Sequence, residues 1–424
     1  MQNSTDKQLF AKWQARTIFV SALAYAFFYL IRKNLSMAQP AMLEEGVITT
    51  TQIGTIISVH GILYGVSRFV NGFWADKVNA RKLMFCGLFL SALCNILFGS
   101  VSLALLFGVF WIVNGWTQGM GFPPCTKMLT HWIHPKELAT KMSMWNTSHS
   151  FGAVMALGIC SLILNQHLGW RYCFWIPGGM ALVATLLVWF CIRETPTEAG
   201  VPEIEMPKSS EAAQVSAITA AERRRLVFGN RVIWLISIAN FFVYVVRFGF
   251  LDWGPTFLKQ YKGIEVSKGG LMIIAFELAA VVGTVFAGWI TDKVFKGRGV
   301  RTCVFCMLMT ALFSFAFWQM PANAPIWLGT ALLMGAGFFI YGPQALIGIV
   351  AANQATKEAA ALATGFTGIW GYASTIVSGL GIALIKEAWG WEVTLFVIAS
   401  FALIGMFLFL CAWNASAHGY DRMK

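Results

Sequence analysis

The sequence predicts an all-α membrane protein with twelve transmembrane helices arranged as two pseudo-symmetric six-helix bundles. Three observations carry that prediction. The chain is 57% hydrophobic and only 12% charged, more apolar surface than a soluble domain of this length buries. Apolar runs of about 20 residues recur along it, the length at which a helix crosses roughly 30 Å of hydrocarbon, whereas barrel strands would alternate over about ten residues. Short motifs also repeat at a spacing near half of the 424 residues, the mark of an internal duplication.

Taken in order, the first six spans are expected at 17–38, 51–75, 82–102, 104–132, 139–165 and 172–192, and the second six at 232–258, 268–291, 302–320, 325–350, 359–386 and 393–413. Gly119-Met-Gly121-Phe-Pro123-Pro124 is expected to bend the fourth helix, and Gly335-Ala-Gly337 through Gly342-Pro343 the tenth. The stretch between the halves carries Pro196, Pro202, Pro207, the carboxylates Glu194, Glu198, Glu203 and Glu205, and Arg223-Arg224-Arg225. It has too little apolar material to offset ordering entropy and reads as a linker. The domain reading is therefore residues 1–192 and 232–424 as bundles joined by a cytoplasmic linker, 193–231.

Charge sets the expected orientation. Lys7, Lys12 and Arg16, the loop with Lys77, Arg81 and Lys82, the linker, the loop with Lys293, Lys296, Arg298 and Arg301, and the C-terminal Arg422 and Lys424 all fall on one face of a twelve-span chain. Both termini are thus expected in the cytoplasm. Lys259, Lys262 and Lys268 are the exception on the opposite side. The net charge of +12 is mostly this topology signal, and nothing in it reads as a nucleic-acid surface. No removable signal peptide precedes the first span. The nine cysteines lie in or beside apolar segments; Cys303-Val-Phe-Cys306 has no second pair or nearby histidines, so no metal site or cofactor is expected.

The duplication brings in the chemistry. Tyr29-Leu-Ile-Arg32 recurs as Tyr244-Val-Val-Arg247, 215 residues on; Gly72-Phe-Trp-Ala-Asp76-Lys77 recurs as Gly288-Trp-Ile-Thr-Asp292-Lys293, 216 on; Gly169-Trp170 recurs as Gly390-Trp391, 221 on. An arginine inside a membrane helix costs roughly 2.5–3.5 kcal/mol on insertion scales and is a functional hypothesis by default. Two, one in each half, point to a shared anion site. A guanidinium donates a bidentate fork to phosphate oxygens and stays charged at any relevant pH. The plainer alternatives are snorkelling to an interface or pairing with Asp252 or Glu277. Tyr25, Tyr29 and Arg32 are spaced to share one face of the first helix. His149 is the kind of group that titrates near neutrality, though a lone histidine also serves as a structural hydrogen bonder.

The motif Gly-x-x-x-Asp-Lys followed by Arg81-Lys82 resembles the signature loop of the major facilitator superfamily. Within it, Tyr29-Leu-Ile-Arg32-Lys33-Asn34, Gln118 through Cys125, Trp145-Asn-Thr-Ser-His149, Tyr244 through Trp253, and Tyr341-Gly-Pro-Gln-Ala-Leu-Ile-Gly348 resemble the organophosphate:inorganic phosphate antiporters, in order and over residues 13 to 413. The resemblance implies a secondary transporter, not an enzyme, exchanging a sugar phosphate or glycerol 3-phosphate for inorganic phosphate as a functional monomer. It implies a phosphate held by Arg32, Arg247 and His149, and a cavity lined by Tyr25, Tyr29, Lys33, Tyr64, Arg68, Trp145, Tyr244, Tyr341 and Tyr372. Lys33 and Arg68 are expected at the cavity mouths, Arg68 standing where many members carry lysine. His60 and Asn71 lean the substrate toward a hexose phosphate.

The signature loops are expected to act mechanically, with Asp76 and Arg81 in one half and Asp292 and Arg298 in the other forming conformational latches. Exposed pairs are worth only about 0.2–1 kcal/mol, so such a latch needs its neighbouring helix ends. The mechanism expected is alternating access, in which the halves close only over an anion because an empty site would bury unpaired like charges. A sensor of the same fold, signalling to a membrane histidine kinase, is the alternative. No nucleotide-binding loop is present to supply ATP drive.

Overall fold

The computed structural model describes residues 4–202, 219–321, 323–355 and 359–417, and these are helical apart from turns. The helices are α1 (Ser4–Glu44), α2 (Thr50–Lys77), α3 (Ala80–Ser100), α4 (Ala104–Gln118), α5 (Phe122–Trp132), α6 (Pro135–Asn146), α7 (Ser148–Asn165), α8 (Tyr172–Cys191), α9 (Ala220–Phe228), α10 (Arg231–Gln260), α11 (Val266–Lys293), α12 (Gly299–Gln319), α13 (Ile326–Gln354), α14 (Ala360–Ala373) and α15 (Ile382–Cys411). Ten segments are long and apolar enough to cross a membrane, and one of them, Leu362–Cys411, has 50 residues, two crossings' worth. With α4 and α5 as one broken crossing, the chain makes the twelve expected from its sequence.

Three breaks depart from the expected uninterrupted spans. The fourth is interrupted where the bend is expected: α4 stops at Gln118, Gly119, Met120 and Gly121 close tighter turns by donating to Trp116 O, Thr117 O and Gln118 O, and α5 starts with Pro123 and Pro124 in its first turn. Prolines there cost nothing, since first-turn N–H groups have no intrahelical acceptor. Gly119 is required at the break, because a Cβ would stand 2.4 Å from Ser67 Oγ. The fifth span is divided at Thr147 between α6 and α7. The eleventh contains a π-helical stretch, Val377–Gly381, and gives way to the twelfth at Gly390, φ 74°. The tenth, expected to bend, is the continuous α13 with Pro343 inside it.

The chain divides into two compact units, Met1–Val47 with Ile62–Gln214, and Ile48–Gly61 with Val215–Lys424. In the first, α7 crosses α1 so closely that a Cβ on Gly152 would lie 2.1 Å from Ala26 O. In the second, Gly283 of α11 and Gly337 of α13 play the same part, against Phe338 O and Phe276 O. Small residues at crossings are how membrane helices gain packing where lipid supplies no hydrophobic drive. The opening turns of α2 belong to the second unit, where Ser58 Oγ donates to Thr375 O at 2.8 Å and accepts from Leu380 N at 2.7 Å.

The repeat seen in the sequence is visible within each unit. Gly169 and Gly390 both adopt positive φ, 83° and 74°. The tryptophan after each donates through Nε1 to a residue just past or at the end of the arginine-bearing helix: Trp170 to Glu45 Oε2 at 2.8 Å, Trp391 to Gln260 Oε1 at 2.9 Å. Glu45 and Gln260 are 215 residues apart, like the two arginines.

Candidate substrate-binding site

In the first unit the setting of Arg32 begins with amides, not charges. Gln118 Nε2 donates to Phe28 O at 2.9 Å and Asn95 Nδ2 to Ile31 O at 2.8 Å, so α4 and α3 each grip a carbonyl of α1 beside Arg32. Asn34 Nδ2 donates to Asn95 Oδ1 at 2.8 Å and to Cys173 O at 2.9 Å, adding α8. Such directional bonds in an apolar interior fix the rotation of α1 about its axis. Of these residues the sequence had singled out Gln118 and Asn34 only as parts of motifs, and Asn95 not at all; a polar amide in an otherwise apolar span was the available signal.

Around Arg32 the aromatic groups form one connected cluster. The guanidinium carbon lies 4.1 Å from the Tyr64 ring centroid and 5.5 Å from that of Tyr29, cation–π geometry. Tyr29 meets His149 at 5.3 Å and Tyr25 at 5.5 Å, and Tyr25 stacks on Trp145 at 4.8 Å. Trp145 Nε1 donates to Ser21 Oγ at 3.1 Å. Tyr64 interacts in turn with Arg68 and Tyr25, and Arg68 lies 3.9 Å over the ring of Phe122. Tyr25, Tyr29, Arg32, Tyr64, Arg68, Trp145 and His149 therefore share one site. His149 Nδ1 bonds to Asn146 O. A carbonyl only accepts, so Nδ1 carries the proton and Nε2, 3.4 Å from Ser150 Oγ, is the accepting nitrogen of the ring. Lys33 is 7% exposed and buried, not at a mouth. Asn71 donates to Ser67 O and Oγ, both at 2.8 Å, which binds its amide within α2.

The second unit builds its arginine differently. Arg247 is 6% exposed, with its guanidinium carbon 4.5 Å from Tyr341, 5.5 Å from Phe248 and 5.9 Å from Tyr244. The Tyr341 hydroxyl donates to Glu277 Oε1, which ties α13 to α11. Glu277 is 1% exposed, and its Oε2 has no partner among the described residues. Glu277 thus bonds across helices to the tyrosine that faces Arg247. Tyr372 is half-buried on α14 next to Gly371, whose ideal Cβ would lie 3.2 Å from Asn240 Nδ2 and 3.4 Å from the Tyr244 ring.

At the signature loop of the first unit the sequence missed the residues that hold it. Lys127 Nζ donates to Ala75 O at 2.7 Å and Val78 O at 3.2 Å, at the C-terminal end of α2. The same nitrogen pairs with Glu194 Oε1 at 2.7 Å, and Glu194 Oε2 accepts from Ala80 N at 2.8 Å, at the N-terminal end of α3. One ion pair therefore places a cation on one helix's C-terminus and an anion on the next one's N-terminus, as both dipoles favour. Glu198 adds bonds to Asn79 Nδ2 at 2.9 Å and Glu194 N at 3.0 Å. Arg81 turns instead to α8, toward Ile192 O and Trp189. The side chain of Asp76, its expected partner, lies outside the described ones. Asp292 and Arg298 are exposed, and no ion pair joins them among the described residues. Among the described residues, no group of three or more His, Cys, Asp or Glu is placed to hold a metal ion.

The first-unit cluster thus gathers two guanidiniums, a histidine and tyrosine hydroxyls on apolar walls. Among known families, the Major Facilitator Superfamily matches residues 21–379. This chain belongs to the major facilitator superfamily. It is 34% identical to a probable hexose phosphate transport protein of Chlamydia muridarum over 97% of this chain and 93% of that one. It is also 34% identical to the glycerol-3-phosphate transporter of Bacillus subtilis, over 92% and 90%. The same identity, over 96% and 92%, holds with the membrane sensor protein UhpC of Salmonella typhimurium. These relatives match the organophosphate:phosphate antiporter family recognised in the motifs. In fold it resembles a bacterial homologue of the lysosomal transporter Spinster, with a TM-score of 0.80 at 15% identity over 96% of this chain and 98% of that one. The chain is an integral multi-pass membrane transporter and not an enzyme.

Proposed function

We propose that the protein exchanges an organophosphate, in particular a hexose phosphate, for inorganic phosphate by alternating access. The cluster Arg32–Tyr29–His149 with Tyr64 and Arg68 is the observation that carries this reading. In it, Arg32 donates a fork to phosphate oxygens, His149 adds a proton-dependent contact through Nε2, and Tyr25, Tyr64 and Trp145 receive the organic part. Arg247, with Tyr244, Tyr341 and Tyr372, completes the phosphate ligation from the duplicated half. Closure over two arginines is favourable only when an anion neutralises them, so movement in either direction needs cargo and net flux is coupled exchange. Both termini lie in the cytoplasm and the monomer is the working unit. Hexose phosphate is preferred over glycerol phosphate because relatives named for hexose phosphate match over 97% of the chain.

The test is uptake of labelled phosphate into phosphate-loaded proteoliposomes, followed by competition with unlabelled glucose 6-phosphate, glycerol 3-phosphate and phosphoglycerate. Uptake that needs internal phosphate and yields first to glucose 6-phosphate is expected. Uptake into empty vesicles at the same rate overturns exchange. The similarity to a membrane sensor protein supports a second reading, in which the same site reports a sugar phosphate to a partner kinase. Tight binding of glucose 6-phosphate with negligible flux would decide for it.

A further inference from the structure

Three arginines in the first unit meet at the end of α8, where its membrane span closes at Cys191. Arg193 Nη1 donates to Ile192 O at 2.9 Å, and Arg81 Nη1 reaches the same oxygen at 3.4 Å, so these two nitrogens lie within about 6 Å of each other. Arg193 also lies over the ring of Trp13 at 5.1 Å, and Arg16 over the same ring at 5.0 Å, with Arg16 Nη2 3.2 Å from Cys191 Sγ. Arg81 lies 5.5 Å from the Trp189 ring, which is 39% exposed.

The plain account is that the arginines cap the C-terminus of α8, whose exposed carbonyls carry about half a negative charge. That account leaves most of the charge over. Three full positive charges share one helix end, and Arg81 Nε is buried without a partner among the described residues. The acids nearest Arg193 in sequence are occupied elsewhere, Glu194 with Lys127 and Ala80 N, and Glu198 with Asn79 and Glu194 N; the side chain of Asp76, nearest to Arg81, lies outside the described ones. Guanidiniums beside half-exposed tryptophans at the end of a span have the chemistry that holds a lipid phosphate: cations at headgroup depth and indole rings at the interface.

The geometry points to a binding site for the headgroup of an anionic phospholipid, formed by Arg16, Arg81 and Arg193 around Trp13 and Trp189. The headgroup phosphate accepts from the guanidinium N–H groups not spent on α8, and the acyl chains run along the apolar face below. Arg16 comes from α1, Arg81 from α3 and Arg193 from the segment after α8, so a bound lipid ties three elements of the unit together.

The experiment is native mass spectrometry of the full chain titrated with phosphatidylglycerol or phosphatidylcholine, with and without millimolar inorganic phosphate. The wild type is expected to retain phosphatidylglycerol in preference, and each of Arg16→Gln and Arg193→Gln to lower that preference about fivefold, as one cation at a membrane surface is worth. Arg16 is exposed, so Arg16→Gln reads out even if Arg193→Gln fails to fold, and the Arg16→Lys variant is expected to retain the lipid. An unchanged preference in Arg16→Gln, or equal retention of phosphatidylcholine, overturns the site. Displacement of the lipid by inorganic phosphate overturns the lipid as its ligand in favour of a free anion. None of these readouts depends on transport.

Discussion

The two arginine environments descend from one duplicated motif and have diverged in how charge is handled. Arg32 stands among tyrosines, His149 and, through Tyr64, a second cation, Arg68. Arg247 stands against Tyr341, whose hydroxyl is already bonded to the buried Glu277. The backbone supports differ in parallel. Amides from α3 and α4 grip α1 beside Arg32 and α1's own Asn34 donates to α8, whereas α10 is held by Asn240 to Thr367 O at 2.9 Å and Trp253 to Ser378 O at 2.8 Å, each farther from its arginine. The first half holds its arginine among aromatic groups and beside a second cation. The second sets its arginine against a tyrosine bonded to an acid on another helix, so under the proposed function an anion there would compete with an internal contact.

The largest expected effect tests what the halves share. Arg32→Lys and Arg247→Lys each lose bidentate donation to the anion, and each should lower exchange about 100-fold, as two hydrogen bonds to a charged group imply. Initial rates in proteoliposomes check this, and a loss confined to Arg32 would end the idea of a symmetrical clamp. Next, Glu277→Gln keeps an acceptor for Tyr341 while removing the charge. It should lower KM and kcat together by about fivefold, since the anion then meets less competition and leaves more slowly. No change in either constant would reduce Glu277 to a helix tie. A smaller effect separates the scaffolds: Asn95→Ala should cost about 2–3 kcal/mol of stability and Asn240→Ala about 1 kcal/mol, the spread for several buried bonds against one. Thermal denaturation in one detergent compares them, and equal losses would erase the distinction.

The smallest effect lies outside the site, at Lys262 after α10. It is buried and donates to Met320 O, and burial lowers its pKa from the ordinary 10.5. Between the lowered folded value and 10.5 the unfolded chain binds the proton that the folded one has released, so this lysine's contribution to stability rises with pH across that window. The difference in melting temperature between wild type and Lys262→Met should shift in the wild type's favour as pH increases there. A pH-independent difference would contradict the sign.

Much of the fold was legible because membrane crossings are written in composition and length, and the duplication in Tyr-x-x-Arg and Gly-Trp was plain at spacings near 215 residues. The Arg32 cluster was legible for a related reason: Tyr25, Tyr29 and Arg32 lie on one helical face. What escaped were contacts that no periodicity encodes. Glu194 looked like linker because it sits among prolines, yet its two oxygens bind groups from α5 and α3. The signature loop suggested a latch of Asp76 and Arg81; the side chain of Asp76 lies outside the described ones, and Arg81 reaches α8, a contact that the loop motif does not encode. The break in the fourth span was legible as glycines and prolines and lies where they placed a bend, but the Ser67 side chain packed against Gly119 was not.

That broken span bears on how the membrane is crossed. At about 1.5 Å per residue, the 15 residues of α4 and the 11 of α5 reach roughly 22 and 17 Å, each short of a bilayer's hydrocarbon core of about 30 Å. Neither piece crosses by itself, whereas the turns at Gly119, Met120 and Gly121 keep the backbone between them bonded. The two pieces therefore make a crossing only together, and Ser67 of α2, which donates to Trp116 O, stands ahead of them in the chain at the place where they bend.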